Sequence, residues 1–151
     1  AFKALQKYGA CPAEICPYDI GSFSKEPGTE AYRSAQDSQL LKYFRLAGSL
    51  HSVKACLADG YTVATGFAVY SSFEDPNGVG KTGVMVLPKN NESLLGGHAV
   101  AIVGYNDKEK HLIIRNSWSA EWGDKGHFYM PYTIFDRPGM ISDFYSPRLV
   151  E

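Results

Sequence analysis

The chain is predicted to fold as an α+β protein, and three features of the sequence carry that expectation. Helix-like segments occupy its first part, β-rich segments follow from about Tyr61 onward, and short Gly/Asn/Asp turns separate the latter as antiparallel hairpins require. Apolar residues make up 44% and aromatic residues 13% of 151 residues, with ten tyrosines and eight phenylalanines, so there is material for a packed core and a disordered chain is excluded. The length fits one domain, or one complete lobe plus part of another.

The elements follow in order. Ala1 to Tyr8, AFKALQKY, reads as a helix already under way, stopped by Gly9, which carries the expectation of a processed or truncated product. Cys11 to Tyr32 is rich in Pro, Gly and Ser and is expected to be irregular. Asp37 to Leu46 has helical patterning that ends at Gly48, and a second helix from Ser49 to Ala58 is capped by Ser49 and stopped by Gly60. YTVATGFAVY is a strand; Ser71 to Val79 supplies turn residues, and Val84 to Leu87 a short strand. His98 to Tyr105, HAVAIVGY, is the clearest strand; a turn at Asn106 to Lys110 leads to the strands His111–Asn116 and Gly126–Met130.

Fifteen basic and sixteen acidic residues leave a formal charge of -1, so the surplus a phosphate-backbone binder needs is lacking and no nucleic-acid partner is expected. No apolar run reaches the roughly eighteen residues of a membrane span, and no membrane partner is expected. Cys11, Cys16 and Cys56 are odd in number. Buried thiols, or one bridge from Cys11 or Cys16 to Cys56, fit better than any zinc spacing. His51, His98, His111 and His127 do not place two imidazoles on one helical turn, so neither a metal nor another cofactor is expected. The sequon Asn91-Glu92-Ser93 falls in a loop and matters only in a secretory compartment.

Chemistry gathers at three places. His98 follows Gly96 and Gly97 at the mouth of a nearly continuous apolar strand. Asn116 closes the neighbouring strand, so a hairpin across Asn106 to Lys110 brings both to the same end of adjacent strands. A carboxamide oxygen there can accept from one ring nitrogen and fix the tautomer of the other. Trp118 and Trp122 follow in NSWSAEWGDKG, where an indole can shield that bond from water. Taken singly, each has an ordinary structural explanation.

Together, GHAVAIVGY and IIRNSWSAEWGDKGHFYM resemble the papain and cathepsin family of cysteine peptidases. ALQKYGACPAEICPYD is similar to that family's helix end and tyrosine-proline segment, LADGYTVATGFAVYSSF to the first long strand of its β lobe, and SDFYSPRLVE to its closing strand. One departure stands out: Ser119 occupies a position where the family usually has glycine, which puts the local loop geometry in question.

The resemblance implies a papain-like cysteine proteinase fold with an antiparallel β lobe and an incomplete helical lobe. Residues 1–45 would be the remainder of the helical lobe without its nucleophile-bearing helix, 46–140 the β lobe, and 141–151 a C-terminal crossing strand or tail. It implies His98 as acid–base, Asn116 as its orienter, and Trp118 with Trp122 as shield. Gly97, the stretch Thr65 to Phe67 with Gly66, and Ser146 would line a roomy apolar substrate pocket.

The reaction so implied is acyl transfer from a peptide to water through a cysteine thiolate. None of the three cysteines lies in a Cys-Gly-Ser-Cys-Trp-like run at a helix start. Because the histidine follows the nucleophile by roughly 130–150 residues in such enzymes, the cysteine is expected about 30–50 residues before Ala1, and the oxyanion glutamine with it. The chain alone is then expected to be inactive. Its implied partners are a peptide or protein substrate, an N-terminal segment as a separate chain, and a second copy through exposed inter-lobe surface. The alternative is a non-catalytic papain-like protein that binds peptide or protein through the cleft surface.

Overall fold

The computed structural model describes residues 1–75 and 77–148. They fall into two compact units, Ala1–Tyr43 with Pro147 and Arg148, and Phe44–Ser146. Of the expected closing segment, residues 141–146 thus cluster with the β unit, and Leu149 to Glu151 lie outside the described residues.

In the first unit, α1 (Phe2–Tyr8) carries Lys7 in its last turn, where the carbonyl ends favour a cation. It ends at Gly9 with φ 78°, and a Cβ there would fall 1.8 Å from the carbonyl oxygen of Ala35, so only glycine allows this approach. The expected irregular stretch is confined to residues 11–28. It gives way to α2 (Thr29–Ala35), with Glu30 in the first turn and Arg33 in the last, and Ala31 and Ala35 buried.

Asp37–Leu46 does not form the expected helix. A single 3-10 turn, Gln36–Ser38, precedes the strand β1 (Lys42–Arg45). The apolar spacing of this segment is compatible with either period, and pairing decides: Leu41 N–H donates to Arg148 O and Leu46 N–H to Phe144 O. Ladder bonds to a neighbouring strand override weak local helix preference.

In the second unit, α3 (Leu50–Ala58) begins as expected, with the Ser49 hydroxyl accepting from Ser52 N–H. The strands are β2 (Val63–Tyr70), β3 (Leu94–Asn106), β4 (His111–Arg115), β5 (His127–Pro131) and β6 (Ile141–Arg148), and a one-turn helix, α4 (Val79–Thr82), precedes β3. The sheet runs β1-β6-β2-β3-β4-β5. The short strand expected at Val84–Leu87 is reduced to one bridge from Val84 to Tyr129, because only Met85 N–H reaches the ladder, at Tyr129 O. β2 alternates buried and half-buried residues along its whole length, the mark of a strand with one face on the core. Val53 and Cys56 of α3 close that core over Val63, Phe67, Ile102, Leu112, Ile114, Phe128 and Met130. Cys11 and Cys16 are free thiols, and Cys56 is buried in the core beside Ser146.

Candidate active site

β3 begins at Leu94, so His98 lies within the strand instead of opening it. Gly96 and Gly97 continue the ladder opposite Val69 and Ala68, and His98 pairs with Phe67. Directly paired residues share a face, so the imidazole stands on the core side of the sheet, 5.9 Å from the Phe67 ring. β4 ends at Arg115, and Asn116 follows it with its N–H donated to Gly126 O at 2.9 Å.

The imidazole Nε2 of His98 lies 2.8 Å from the Asn116 side-chain oxygen. That oxygen also accepts from Ser117 N–H at 2.8 Å. An N–H can only be met by an acceptor, so the atom is the carboxamide oxygen and the ring Nε2 is the donor. The other ring nitrogen, Nδ1, is left as the basic one. Asn116 is 5% exposed, and its Nδ2 has no hydrogen-bond partner among the described residues.

Trp118 stacks on the imidazole, with ring centroids 4.7 Å apart and planes within 26°. Trp122 meets Trp118 edge-on, and Phe73 packs against both indoles and against Phe128. The indole thus covers one face of the imidazole, while Phe67 and Phe73 tie the stack to the core. Phe67, expected at the pocket wall, is instead buried against the imidazole, and Phe73 was not singled out by the sequence, although FAVYSSF places the two six positions apart about a turn.

The segment from Ser117 to Gly126 holds the pair in place. Gly126 N–H donates to Trp122 O, Gly123 N–H to Gly80 O, and Asp124 N–H to His127 O. Positive φ occurs at Ser119, Gly123, Lys125 and Gly126. Ser119 adopts φ 83°, a conformation natural to glycine, so the serine at this position carries backbone strain.

Gly66 pairs with Ala99 and Gly97 with Ala68, one step out of phase with Phe67–His98. By strand alternation they form a shelf of small residues on the sheet face opposite the imidazole. Ser146 is not part of that shelf. It is fully buried, donates to Thr62 O, and lies 3.2 Å from the Cys56 sulfur. The β6 residue facing Gly66 is the exposed Ser142, because Ser146 falls four residues further along the strand.

The family model described as papain family cysteine protease matches residues 1–147. An uncharacterised peptidase C1-like protein of Acanthamoeba polyphaga mimivirus is 36% identical over 151 residues, covering 95% of this chain and 48% of that protein. Cathepsin B-like CP3 of Giardia intestinalis is 31% identical over 136 residues, covering 84% of this chain and 43% of that protein. Among solved structures, xylellain, a cysteine protease from Xylella fastidiosa, superimposes with TM-score 0.87 and 36% identity over 99% of this chain and 60% of that one. The chain therefore spans about half the length of the curated relatives it matches.

Proposed function

The chain belongs to the papain family of cysteine proteases, and from that premise we propose that it supplies the acid–base half of a peptide-bond hydrolase. The observation that carries this reading is the 2.8 Å bond from the His98 imidazole to the Asn116 oxygen beneath a stacked indole. With Nε2 committed to Asn116, His98 exchanges protons through Nδ1. It takes the thiol proton as the thiolate–imidazolium pair forms, then passes it to the leaving amine when the tetrahedral intermediate collapses. Asn116 keeps the ring from flipping and stabilises the imidazolium without taking a proton itself.

The nucleophile comes from outside these 151 residues. A reactive thiol needs the positive end of a helix and an adjacent imidazolium. None of Cys11, Cys16 and Cys56 begins a described helix, and Cys56 is buried beside Ser146 in the core. The oxyanion glutamine is assigned to the same outside segment, as the family resemblance implies; Gln6 and Gln39 each donate to a backbone carbonyl, of Leu41 and Lys7. The shelf of Gly66, Ala68, Gly97 and Ala99 leaves room for an apolar substrate side chain.

The test is a fluorogenic peptide amide offered to the chain alone, and to the chain co-expressed with the nucleophile-bearing N-terminal half of a papain-family relative. Alone it is expected to be inert. The assembled pair is expected to cleave, and His98→Ala to lose about a hundredfold or more. Cleavage by the chain alone that disappears in Cys11→Ser would overturn the account of the nucleophile. A soluble assembly that never cleaves would favour a peptide-binding protein instead.

A further inference from the structure

A cavity of about 640 Å³ lies wholly within the first unit, and the thiols of Cys11 and Cys16 both line it. The proton-transfer chemistry uses neither. Cys11 is half-buried and Cys16 exposed, so reagents in solution reach the pair, whereas Cys56 is buried in the core of the second unit. The chain between the two thiols is one closed turn. The carbonyl oxygen of Pro12, a residue whose fixed φ suits the start of a turn, accepts from Ile15 N–H at 3.1 Å and from Cys16 N–H at 3.2 Å. A helical turn closed in this way carries its ends about 6 Å apart, and Cys11 is the residue next to Pro12. A disulfide spans Cα atoms about 4.4–6.8 Å apart. Residues 12–16 are all exposed, so the adjustment that bonding needs disturbs no core side chain. Among the described residues no third ligand joins the two thiols to hold a metal ion.

We propose that Cys11 and Cys16 are a reversible dithiol site, which closes to a disulfide when a low-molecular-weight disulfide is in excess and reopens when free thiol is. The exposed Cys16 thiolate attacks one sulfur of the small disulfide; the S–S bond breaks, and the departing thiolate takes up the proton that Cys16 lost. Cys11, deprotonated in turn, attacks the Cys16 sulfur of the mixed disulfide and releases the second small thiol. Two protein thiols are thereby oxidised by two electrons in all, and one small disulfide is reduced to two thiols. The ring closes over a few residues, so bringing its ends together costs little entropy, and closure outruns capture of a second reagent molecule. The same short loop constrains the unfolded chain weakly, and the bridge is open to solvent. Both features make it readily reduced, as a switchable bond must be and a structural one is not.

The reduced full chain is equilibrated with glutathione buffers of graded oxidation, remaining thiols are capped with N-ethylmaleimide, and the peptides are mapped by mass spectrometry. Cys11 and Cys16 are expected to lose their capping together, in one peptide that carries an internal bridge, and dithiothreitol to restore both. Cys11→Ser and Cys16→Ser are each expected to hold glutathione on the thiol that remains. Nearness in sequence alone gives some closure, so the same titration in urea sets the baseline. The folded chain is expected to close about tenfold more favourably than the unfolded one. If either serine variant is poorly folded by circular dichroism, the wild-type titrations with and without urea decide. A stable glutathione adduct on the wild type, bridges between chains or to Cys56, no oxidation, or equal closure with and without urea overturns the proposal. Each of those outcomes leaves the peptidase reading standing, since that reading invokes neither thiol.

Discussion

Gly123→Ala isolates what the Trp-Gly turn contributes to holding Asn116. At Gly123, φ is 62°, and an added Cβ would lie 2.4 Å from the carbonyl oxygen of His127. The strand carbonyl would have to retreat by about 0.6 Å to reach 3.0 Å, the limit below which such contacts are essentially absent. It is the acceptor for Asp124 N–H at 2.8 Å, and Gly123 N–H itself donates to Gly80 O at 2.6 Å. Left-handed backbone at a non-glycine residue costs roughly 1–2 kcal/mol. Weakening these two hydrogen bonds adds about 0.5–1.5 kcal/mol for each. The expected loss is therefore about 2–5 kcal/mol. Gly60→Ala is the matched control, because Gly60 has φ 86° and nothing within 4 Å of its added Cβ, leaving only the backbone term of about 1–2 kcal/mol. Urea unfolding followed by tryptophan emission measures both, and slopes equal to wild type license the comparison. If the two variants lose the same stability within about 0.5 kcal/mol, close approach is not what fixes this turn, and the reasoning fails.

Two further outcomes are expected. Ser119→Gly should raise stability by up to about 1 kcal/mol, since relief of the left-handed strain exceeds the extra freedom of the unfolded chain and the loss of the long 3.3 Å bond from Glu121 N–H to the serine hydroxyl; a lower melting temperature would contradict this. The Asp107 carboxyl is held below its ordinary range, first by the hydrogen bond from Lys54. With the folded pKa depressed, its contribution is present above the unfolded carboxylate value of about 3.9 and lost as pH falls through the folded one. The stability difference between wild type and Asp107→Asn should therefore be full at neutral pH and shrink below about pH 4; a pH-independent difference would refute it.

The acid–base geometry was legible because hairpin topology is local. Asn106 to Lys110 forms the turn, the strands on either side carry strong apolar signals, and positions 98 and 116 both fall at the far end of the hairpin, just beyond the Ala101–Arg115 pair. The helix Ser49–Ala58 was equally plain, since one serine hydroxyl caps it. What failed were segments whose state depends on distant partners. Residues 42–45 have no decisive period of their own and became a strand because Phe144 and Arg148 offer ladder carbonyls. α2 went unread because Pro and Gly lie nearby and its seven residues, TEAYRSA, mix good helix formers with Thr, Tyr and Ser. The resemblance implies Ser146 at the pocket, whereas the β6 register, with its shift between Ala64 and Gly66, puts Ser142 opposite Gly66. The aromatic support from Phe67 and Phe73 combines residues on a strand and in a turn with a loop fifty positions away, which periodicity cannot reveal.

His98, Asn116, Trp118 and every backbone group that braces them belong to the unit Phe44–Ser146. An orienting pair completed within one folding unit does not wait on docking to acquire its tautomer. If the nucleophile and the oxyanion glutamine lie on another segment, as proposed, such a unit is suited to fragment complementation, in which a separately made polypeptide brings both to a proton acceptor already set in position. Association of the pieces, and not maturation of the imidazole, would then set the pace at which activity appears.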